Sequence, residues 1–305
     1  MNKIKKLPVP LMPAMVGACT LSNVYLGLGY TWIRHITMVA ATVIWILFLI
    51  RIITQWKIFK EEYSQTVLCS LYAGFTMLMM IIGSYFYEWF PTFGKAFWLL
   101  GIVIHAVHII IFTYRNILKG VNMDTFVPSY FVTYNGIMVS VVVGGSMNEP
   151  QLLKCIVYYG ICIFTILIPF MIYRLRFIPI KDSFYHTQAI LLGPSSLCVV
   201  TYLSVSENPN KILLGYLYVA VLCALIFIIY KLPKFFEFEF KPTYAGLTFP
   251  MAIGIVATTK VSAYLTAQGL ELGAFLKELA GIQTYLTTGI IFYVLLRIYM
   301  LMKKA

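Results

Sequence analysis

Charged residues are scarce in this chain of 305 residues, and acidic ones are the scarcest. Asp and Glu together number 11, and all charged types make up only 11% of the sequence. A soluble domain carries about a quarter charged residues, because its surface must face water. Here 61% of the residues are apolar and the mean hydropathy is +0.86. The lack of charge therefore excludes an ordinary soluble domain and indicates a polytopic membrane protein.

Motifs of common catalytic and cofactor sites are also missing. The sequence contains no nucleotide-binding glycine loop, no HExxH zinc motif and no GxSxG nucleophile turn. The six cysteines are Cys19, Cys69, Cys155, Cys162, Cys198 and Cys223. All fall within apolar runs, where cysteine behaves as a small apolar residue rather than as part of a disulfide or metal framework. We therefore expect no enzyme activity, no cofactor and no metal.

Long apolar runs dominate the sequence. A transmembrane helix needs about 20 largely apolar residues to cross the hydrocarbon core. Ten such runs are present, at residues 9–29, 36–54, 66–87, 93–114, 126–147, 152–173, 188–205, 211–231, 243–265 and 282–302. We expect a single ten-helix transmembrane domain over residues 1–305.

The first run has a second interpretation. "MNKIKK", an apolar stretch and "MVGAC" together resemble a cleaved lipoprotein signal with Cys19 as the lipidated residue. Three prolines interrupt that stretch, namely Pro8, Pro10 and Pro13. Its removal would also leave nine helices and break the repeat described below, so a first membrane helix is favoured.

Basic residues are distributed unevenly between the loops. Most of the 23 Lys and Arg residues fall at the two termini and in the loops after helices 2, 4, 6 and 8. Since basic residues are retained on the cytoplasmic side, both termini should face the cytoplasm of a multi-pass protein of the cell (inner) membrane. The formal charge of +12 then reflects topology, and no nucleic-acid partner is needed to explain it.

Prolines recur in the odd-numbered runs. They are Pro13, Pro128, Pro194 and Pro250, in helices 1, 5, 7 and 9. Small residues accompany them, whereas the even runs are bulkier, as in "TVIWILFLI". A broken helix is tolerated in a membrane only where neighbours, water or a cavity satisfy the freed backbone. The pattern predicts five helical hairpins with odd helices inside, around a central pore, and even helices outside.

Four segments carry a family resemblance: "TVIWILFLIRI" (42–52), "FVPSYFVTYNGIMVSVVVGG" (126–145), "AILLGPSSLCVVTYLSV" (189–205) and "LTFPMAIGIVATT" (247–259). They resemble, in order along the chain, segments of the tellurite-resistance/dicarboxylate transporter family, which includes bacterial TehA and the plant slow anion channels. The resemblance implies a ten-helix subunit with its own pore, and a homotrimer. It also implies that a phenylalanine on helix 9 plugs the pore, and the matching residue here is Phe249.

Phe249 and Pro250 together suggest a gate. We expect Pro250 to bend helix 9 at the membrane midplane and Phe249 to point across the bore, where an aromatic plug excludes water and blocks ions. The alternative for Phe249 is ordinary packing.

Two positions depart from the family pattern. Prolines of its helices 3 and 5 are replaced here by Thr76 and Thr133, so those helices should kink less or present hydroxyls to the pore. The complete set of candidate pore-lining residues is Gly17, Gly74, Thr76, Thr133, Gly136, Gly193 and Ser195. Helices 1, 3, 5 and 7 contain no charged residue in their interiors, which favours weak sites and anions that lose water easily, nitrate before chloride.

Two further features of the sequence contain ionisable side chains within predicted helices. Lys260, near the predicted outer end of helix 9, either adds positive potential for anions or extends to the membrane interface. His105 and His108 share one face of helix 4 but have no third ligand, which favours packing or interhelical hydrogen bonds over a metal site.

Three functional hypotheses follow. The favoured one is a gated channel for small monovalent inorganic anions such as nitrate and chloride, surrounded by lipid. The alternative is a secondary transporter or exporter of tellurite, sulfite or C4-dicarboxylates, which would favour a titratable group in the pathway. A membrane enzyme or structural subunit would need polar clusters at one membrane face.

Overall fold

The computed structural model describes residues 2–304, with side chains from residue 4 to residue 303. The described residues do not include Met1 and Ala305. The charge pattern predicts that these two ends are cytoplasmic. Every regular element between residues 2 and 304 is helical. Eight helices are long and apolar enough to cross a membrane, and two further apolar helices are shorter.

Ten long helical segments follow one another along the chain, and we label them in that order. They are α1 (Leu11–Gly27), α2 (Thr31–Thr54), α3 (Thr66–Tyr87), α4 (Pro91–Leu118), α5 (Tyr130–Val143), α6 (Pro150–Phe177), α7 (Asp182–Val205), α8 (Lys211–Glu237), α9 (Pro242–Ala267) and α10 (Leu272–Lys304). Two short helices, Asn2–Lys5 and Trp56–Ser64, lie outside this series.

Several segments are not regular α-helices throughout. The first part of α7 (Asp182–Leu191) and of α9 (Pro242–Leu247) is 3₁₀-helical, and the last turn of α4 is a π-helix. In α5 a 3₁₀ turn at Gly136–Met138 separates two short α-helices. Such irregular turns are found where a helix is interrupted or carries a functional site.

Several predicted boundaries need correction. The predicted helix at 126–147 begins only at Tyr130 and ends at Val143, so that Pro128 precedes α5 instead of breaking it. The last helix begins at Leu272, ten residues before the predicted start at 282. The helix Trp56–Ser64, expected as a loop, was missed because its apolar and charged residues alternate too closely to form a membrane-length run.

Burial separates the odd from the even segments. Between 72% and 83% of the residues in the apolar cores of α3, α7 and α9 are buried, compared with 22% to 33% for the even segments. Apolar side chains left exposed on the even segments are in the right environment only if they face lipid. The odd segments are therefore enclosed by protein, and the even ones form the outer layer.

The five odd segments form a closed ring. Each contacts the next, from α1 to α3, α5, α7 and α9, and α9 packs back against α1. Every even segment packs against the odd segment that precedes it. The 3₁₀ turn of α5 at Gly136 and the last residues of the 3₁₀ parts of α7 and α9, at Ile190 and Ala245, lie at the centre of this ring.

Candidate functional site

Three of the ring prolines occupy the same position in their helices. Pro13, Pro194 and Pro250 are each the third residue of a regular α-helix, which begins at Leu11, Leu192 and Thr248 respectively. In the first turn of an α-helix the missing N–H of proline costs little, because that turn has no complete set of helical acceptors. Pro250 therefore does not bend α9 in its middle, as the sequence suggested, but marks the point where the 3₁₀ part becomes α-helical.

The three prolines meet at one small cavity at the centre of the ring. Its volume is about 30 Å³, which is room for little more than one or two water molecules. Each ring segment contributes to the wall, which consists of Pro13, Leu71, Met77, Phe131, Val132, Gly136, Ile190, Gly193, Pro194, Leu197, Ala245, Gly246, Phe249 and Pro250. The central constriction is therefore apolar on all sides and carries no charged side chain.

A much larger chamber lies on the other side of Phe249. It has a volume of about 750 Å³ and is lined by residues of α1, α3, α5, α7, α9 and α10. Polar groups of its wall include Asn23, Lys260, Lys277 and Glu278. Phe249 lines both the chamber and the central cavity and is only 8% exposed. Its side chain thus lies at the boundary between the two spaces.

Two of the predicted lining residues contact neighbouring helices instead. A Cβ added to Gly17 would lie 2.6 Å from the backbone nitrogen of Phe249, and one added to Gly74 would lie 2.9 Å from Cδ of Pro13. These distances are shorter than van der Waals contact, so the absence of a side chain lets α1 approach both α9 and α3. Gly17 and Gly74 therefore position the residues of the constriction without lining it. Gly136 and Gly193 do line the central cavity.

Thr76 and Thr133, expected to present hydroxyls to the pore, contact the histidines of α4. Thr76 Oγ1 lies 2.7 Å from Nδ1 of His105, and Nε2 of His105 lies 2.8 Å from the carbonyl oxygen of Thr133. Because a carbonyl can only accept, Nε2 of His105 is the donor. The Thr76 hydroxyl also lies 2.9 Å from the carbonyl oxygen of Ala73, so its single proton is shared between that carbonyl and Nδ1 of His105. His108 Nε2 lies 3.2 Å from Thr133 Oγ1. The two histidines thus join α3, α4 and α5.

Ser195 and Lys260 also have defined partners. Ser195 Oγ donates to the carbonyl of Leu192 at 3.1 Å within its own helix, and the residue is buried away from the cavity wall. Lys260 lines the large chamber, where its Nζ donates to Ser204 Oγ at 3.1 Å. Of the two interpretations of Lys260, the position in the chamber wall is compatible with attraction of anions.

The apolar members of the constriction were not identified from the sequence. Leu197 follows Gly193 and Pro194 by one helical turn, and Met77 and Phe131 lie near Gly74 and Pro128 in the sequence. Leu197, Met77 and Phe131 each lie three residues after a proline or glycine, so a search one helical turn beyond those positions would have found all three. Among residues 4–303, no group of three or more His, Cys, Asp or Glu side chains could hold a metal ion.

Comparison with known proteins gives one match. The family model described as SLAC1, voltage-dependent anion channel, matches residues 7–299. No curated protein matches the chain. The matched range includes all five segments of the ring, Phe249 and the three prolines of the constriction.

Proposed function

The chain belongs to the voltage-dependent anion channel family, and from this premise we propose that it is a gated channel for small monovalent anions such as nitrate and chloride. In this proposal the ions pass through the ring of odd segments, and the side chain of Phe249 is the gate. The observation that carries the proposal is the position of Phe249, which lines both the central cavity and the large chamber.

The apolar character of the constriction wall is an argument for an aromatic gate. A space of about 30 Å³ enclosed by carbon atoms offers a hydrated ion no replacement for its water. A pathway closed in this way needs no charged gate. Movement of the Phe249 ring would join the cavity to the chamber and let water and anions enter.

Selectivity for anions has an electrostatic basis in the chamber. The described charged side chains of its wall are Lys260, Lys277 and Glu278, so the net charge of the wall is positive. A positive chamber with apolar walls raises the local concentration of anions. Because the constriction itself offers no fixed charge, we expect weak binding and a preference for ions that lose water easily.

The larger architecture is part of the same proposal. We propose that the ten helical segments cross the inner membrane as five hairpins, with both termini in the cytoplasm, and that three subunits, each with its own pore, form a homotrimer. The difference in burial between odd and even segments supports the inner and outer layers. The trimer depends on the family resemblance.

The test is a current measurement on Phe249→Ala in planar bilayers, first in symmetric and then in asymmetric nitrate and chloride. Phe75→Ala is the matched control, because Phe75 is also on a ring segment but stacks against Trp45 of α2, with ring centroids 5.0 Å apart. We expect Phe249→Ala to raise a passive current several-fold, with a reversal potential that follows the anion gradient, and Phe75→Ala to leave the current near that of the unmodified protein.

The opposite result would support the alternative transporter. In that case neither variant nor the unmodified protein conducts, while labelled sulfite, tellurite or malate is moved in a saturable and proton-dependent manner. Phe249 would then be a packing residue. Equal currents in Phe249→Ala and Phe75→Ala would also contradict its assignment as the gate.

A further inference from the structure

A separate pocket of about 470 Å³ lies at the ends of α6 and α8, beside the 3₁₀ part of α7. Its wall includes Arg176 from α6, Tyr185 from α7, and Lys231 and Lys234 from α8. By the distribution of basic residues this end of the molecule is predicted to be cytoplasmic. The pocket is distinct from the central cavity and the chamber, with which it shares no lining residue.

Two lysines of this pocket are held over one aromatic ring. Nζ of Lys231 and Nζ of Lys234 lie 5.7 Å and 5.6 Å from the ring centroid of Tyr185. Lys231 also donates to the Tyr185 hydroxyl oxygen at 3.3 Å, which leaves the hydroxyl proton of the tyrosine for another acceptor. Both ammonium groups are thus within cation–π distance of the same ring.

Charge in this pocket is not neutralised by the protein. Asp182 is the acidic side chain of the wall, and among the described residues Arg176, Lys231 and Lys234 form no ion pair. Two other basic residues of this end do form ion pairs. Arg51 pairs with Glu62 at 2.7 Å, and Lys181 pairs with Asp124 at 2.6 Å. Three basic side chains and one acidic side chain therefore leave this concave site with a net positive charge.

Phosphate is the chemical group that fits such a site. Lysine and arginine side chains donate charge-assisted hydrogen bonds to phosphate oxygens, and a phosphate can accept from several donors at once. A volume of about 470 Å³ falls within the usual range of small-molecule sites and exceeds the space that a lone halide or nitrate needs. The two lysines from α8 and the arginine from α6 line the same pocket, so donors from two helices are available for multidentate binding.

The chain segment that contributes Tyr185 to the pocket wall leads directly into residues of the central constriction. Tyr185 belongs to the 3₁₀ helix Asp182–Leu191, and Gly193 and Pro194, which line the central cavity, follow at once. In the same helix His186 Nε2 donates to the carbonyl of Phe235 at 2.9 Å and its ring stacks on Tyr244, with centroids 3.7 Å apart. The 3₁₀ parts of α7 and α9 are thus joined to the end of α8, which carries both lysines.

We propose that the pocket formed by Arg176, Tyr185, Lys231 and Lys234 binds a phosphate-bearing anion at the predicted cytoplasmic face, and that its occupancy changes conduction through the 3₁₀ part of α7. The binding of phosphate is independent of the channel activity, whereas the effect on conduction rests on the proposed function. The phosphate belongs either to a soluble compound or to the headgroup of a membrane phospholipid, and the two sources are separated by the test.

Binding is measured on the full-length protein purified in detergent. Calorimetric titration with inorganic pyrophosphate tests the soluble source, and native mass spectrometry after addition of dioleoylphosphatidic acid or dioleoylphosphatidylcholine tests the lipid source. The variants are Lys231→Gln/Lys234→Gln and, independently, Arg176→Gln. The control is Lys57→Gln/Lys303→Gln, which removes two exposed charges outside the pocket. Only variants with the melting temperature of the unmodified protein in the absence of ligand are compared.

We expect both pocket variants to weaken binding of one probe by about tenfold or more, and the control variant to change it by less than about twofold. Loss of pyrophosphate binding identifies a soluble ligand, and loss of selective phosphatidic acid retention identifies a lipid. If pocket and control variants bind both probes equally, the site is refuted. Current in the Phe249→Ala background is then recorded with the probe that binds. If the probe leaves the current unchanged, the proposed effect of the ligand on conduction is wrong. If no current is seen at all, the proposed channel function is contradicted, but the binding result is unaffected.

Discussion

At the level of single residues, two glycines approach Phe249 and Pro250 at very different distances. A Cβ added to Gly17 would lie 2.6 Å from the backbone nitrogen of Phe249, whereas one added to Gly193 would lie 3.6 Å from Cγ of Pro250. At the first distance the added Cβ would clash with the backbone of Phe249, which can move only together with its helix. The second is ordinary van der Waals contact at the edge of a small cavity.

We predict that Gly17→Ala destabilises the protein and that Gly193→Ala does not. Overpacking of a close helix contact costs about 1–3 kcal/mol, because α1 must move away from α9. The measurement is the midpoint of thermal unfolding in detergent, followed by size-exclusion chromatography. Equal midpoints for the two variants would show that α1 and α9 are farther apart than described.

The orientation of individual side chains is the part of the site that the sequence could not give. Phe249, Gly136 and Gly193, which are predicted to lie in the pore, line the central cavity. Thr76 and Ser195 were expected there and face elsewhere. A helix that is enclosed on every side has no polar stripe, so its rotation about its own axis leaves no periodic signal in the sequence.

At the level of the helices, the prolines act as start points. Pro250 is the third residue of the α-helical part of α9, after the 3₁₀ turns of Pro242–Leu247. A proline there fixes a backbone angle that already suits the first helical turn. In the interior of the same helix it would remove a hydrogen bond and clash with the preceding turn.

We predict that Pro250→Ala changes stability by less than about 1 kcal/mol and that Ala257→Pro costs about 3 kcal/mol or more. Ala257 is the appropriate comparison because it lies in the buried interior of α9. Chemical or thermal unfolding of the two purified variants provides the measurement. A large loss of stability in Pro250→Ala would instead support a proline that shapes the middle of α9.

The helices themselves were largely predictable, and the exceptions have physical reasons. Each of the ten apolar runs corresponds to one helical segment, because apolar length is the main requirement for a membrane span. The start of α10 was missed because Lys277 and Glu278 interrupt the apolar pattern at the chamber wall. The 3₁₀ parts of α7 and α9 have no sequence signal of their own beyond a proline three residues after each of them ends.

At the level of the whole molecule, the two proposals depend on the orientation in the membrane. The chamber with Lys260 opens at the end of the ring where α9 finishes, and the basic pocket with Lys231 lies at the opposite end, where α8 finishes and α9 begins. If the charge pattern is interpreted correctly, anions outside the cell meet the chamber first, and cytoplasmic phosphate compounds meet the basic pocket.

Cysteine labelling of intact cells tests this orientation. Cys155, Cys162 and Cys223 are exposed on the outer helices, so the background variant replaces them with alanine, whereas Cys19, Cys69 and Cys198 are buried. Single cysteines are then placed in exposed loops at Asn122, Glu207 or Gln268.

We predict that a membrane-impermeant maleimide labels the cysteines at positions 207 and 268 in intact cells, and the one at 122 only after lysis. These loops alternate along the chain, because an odd number of spans separates 122 from 207, and the reversal of access follows directly from the five-hairpin arrangement. Labelling at 122 alone in intact cells would place the basic pocket outside. Its ligand would then be an extracellular phosphate compound or a lipid of the outer leaflet, while the chamber with Lys260 would collect anions from the cytoplasm. Labelling at all three positions would contradict the arrangement of spans itself.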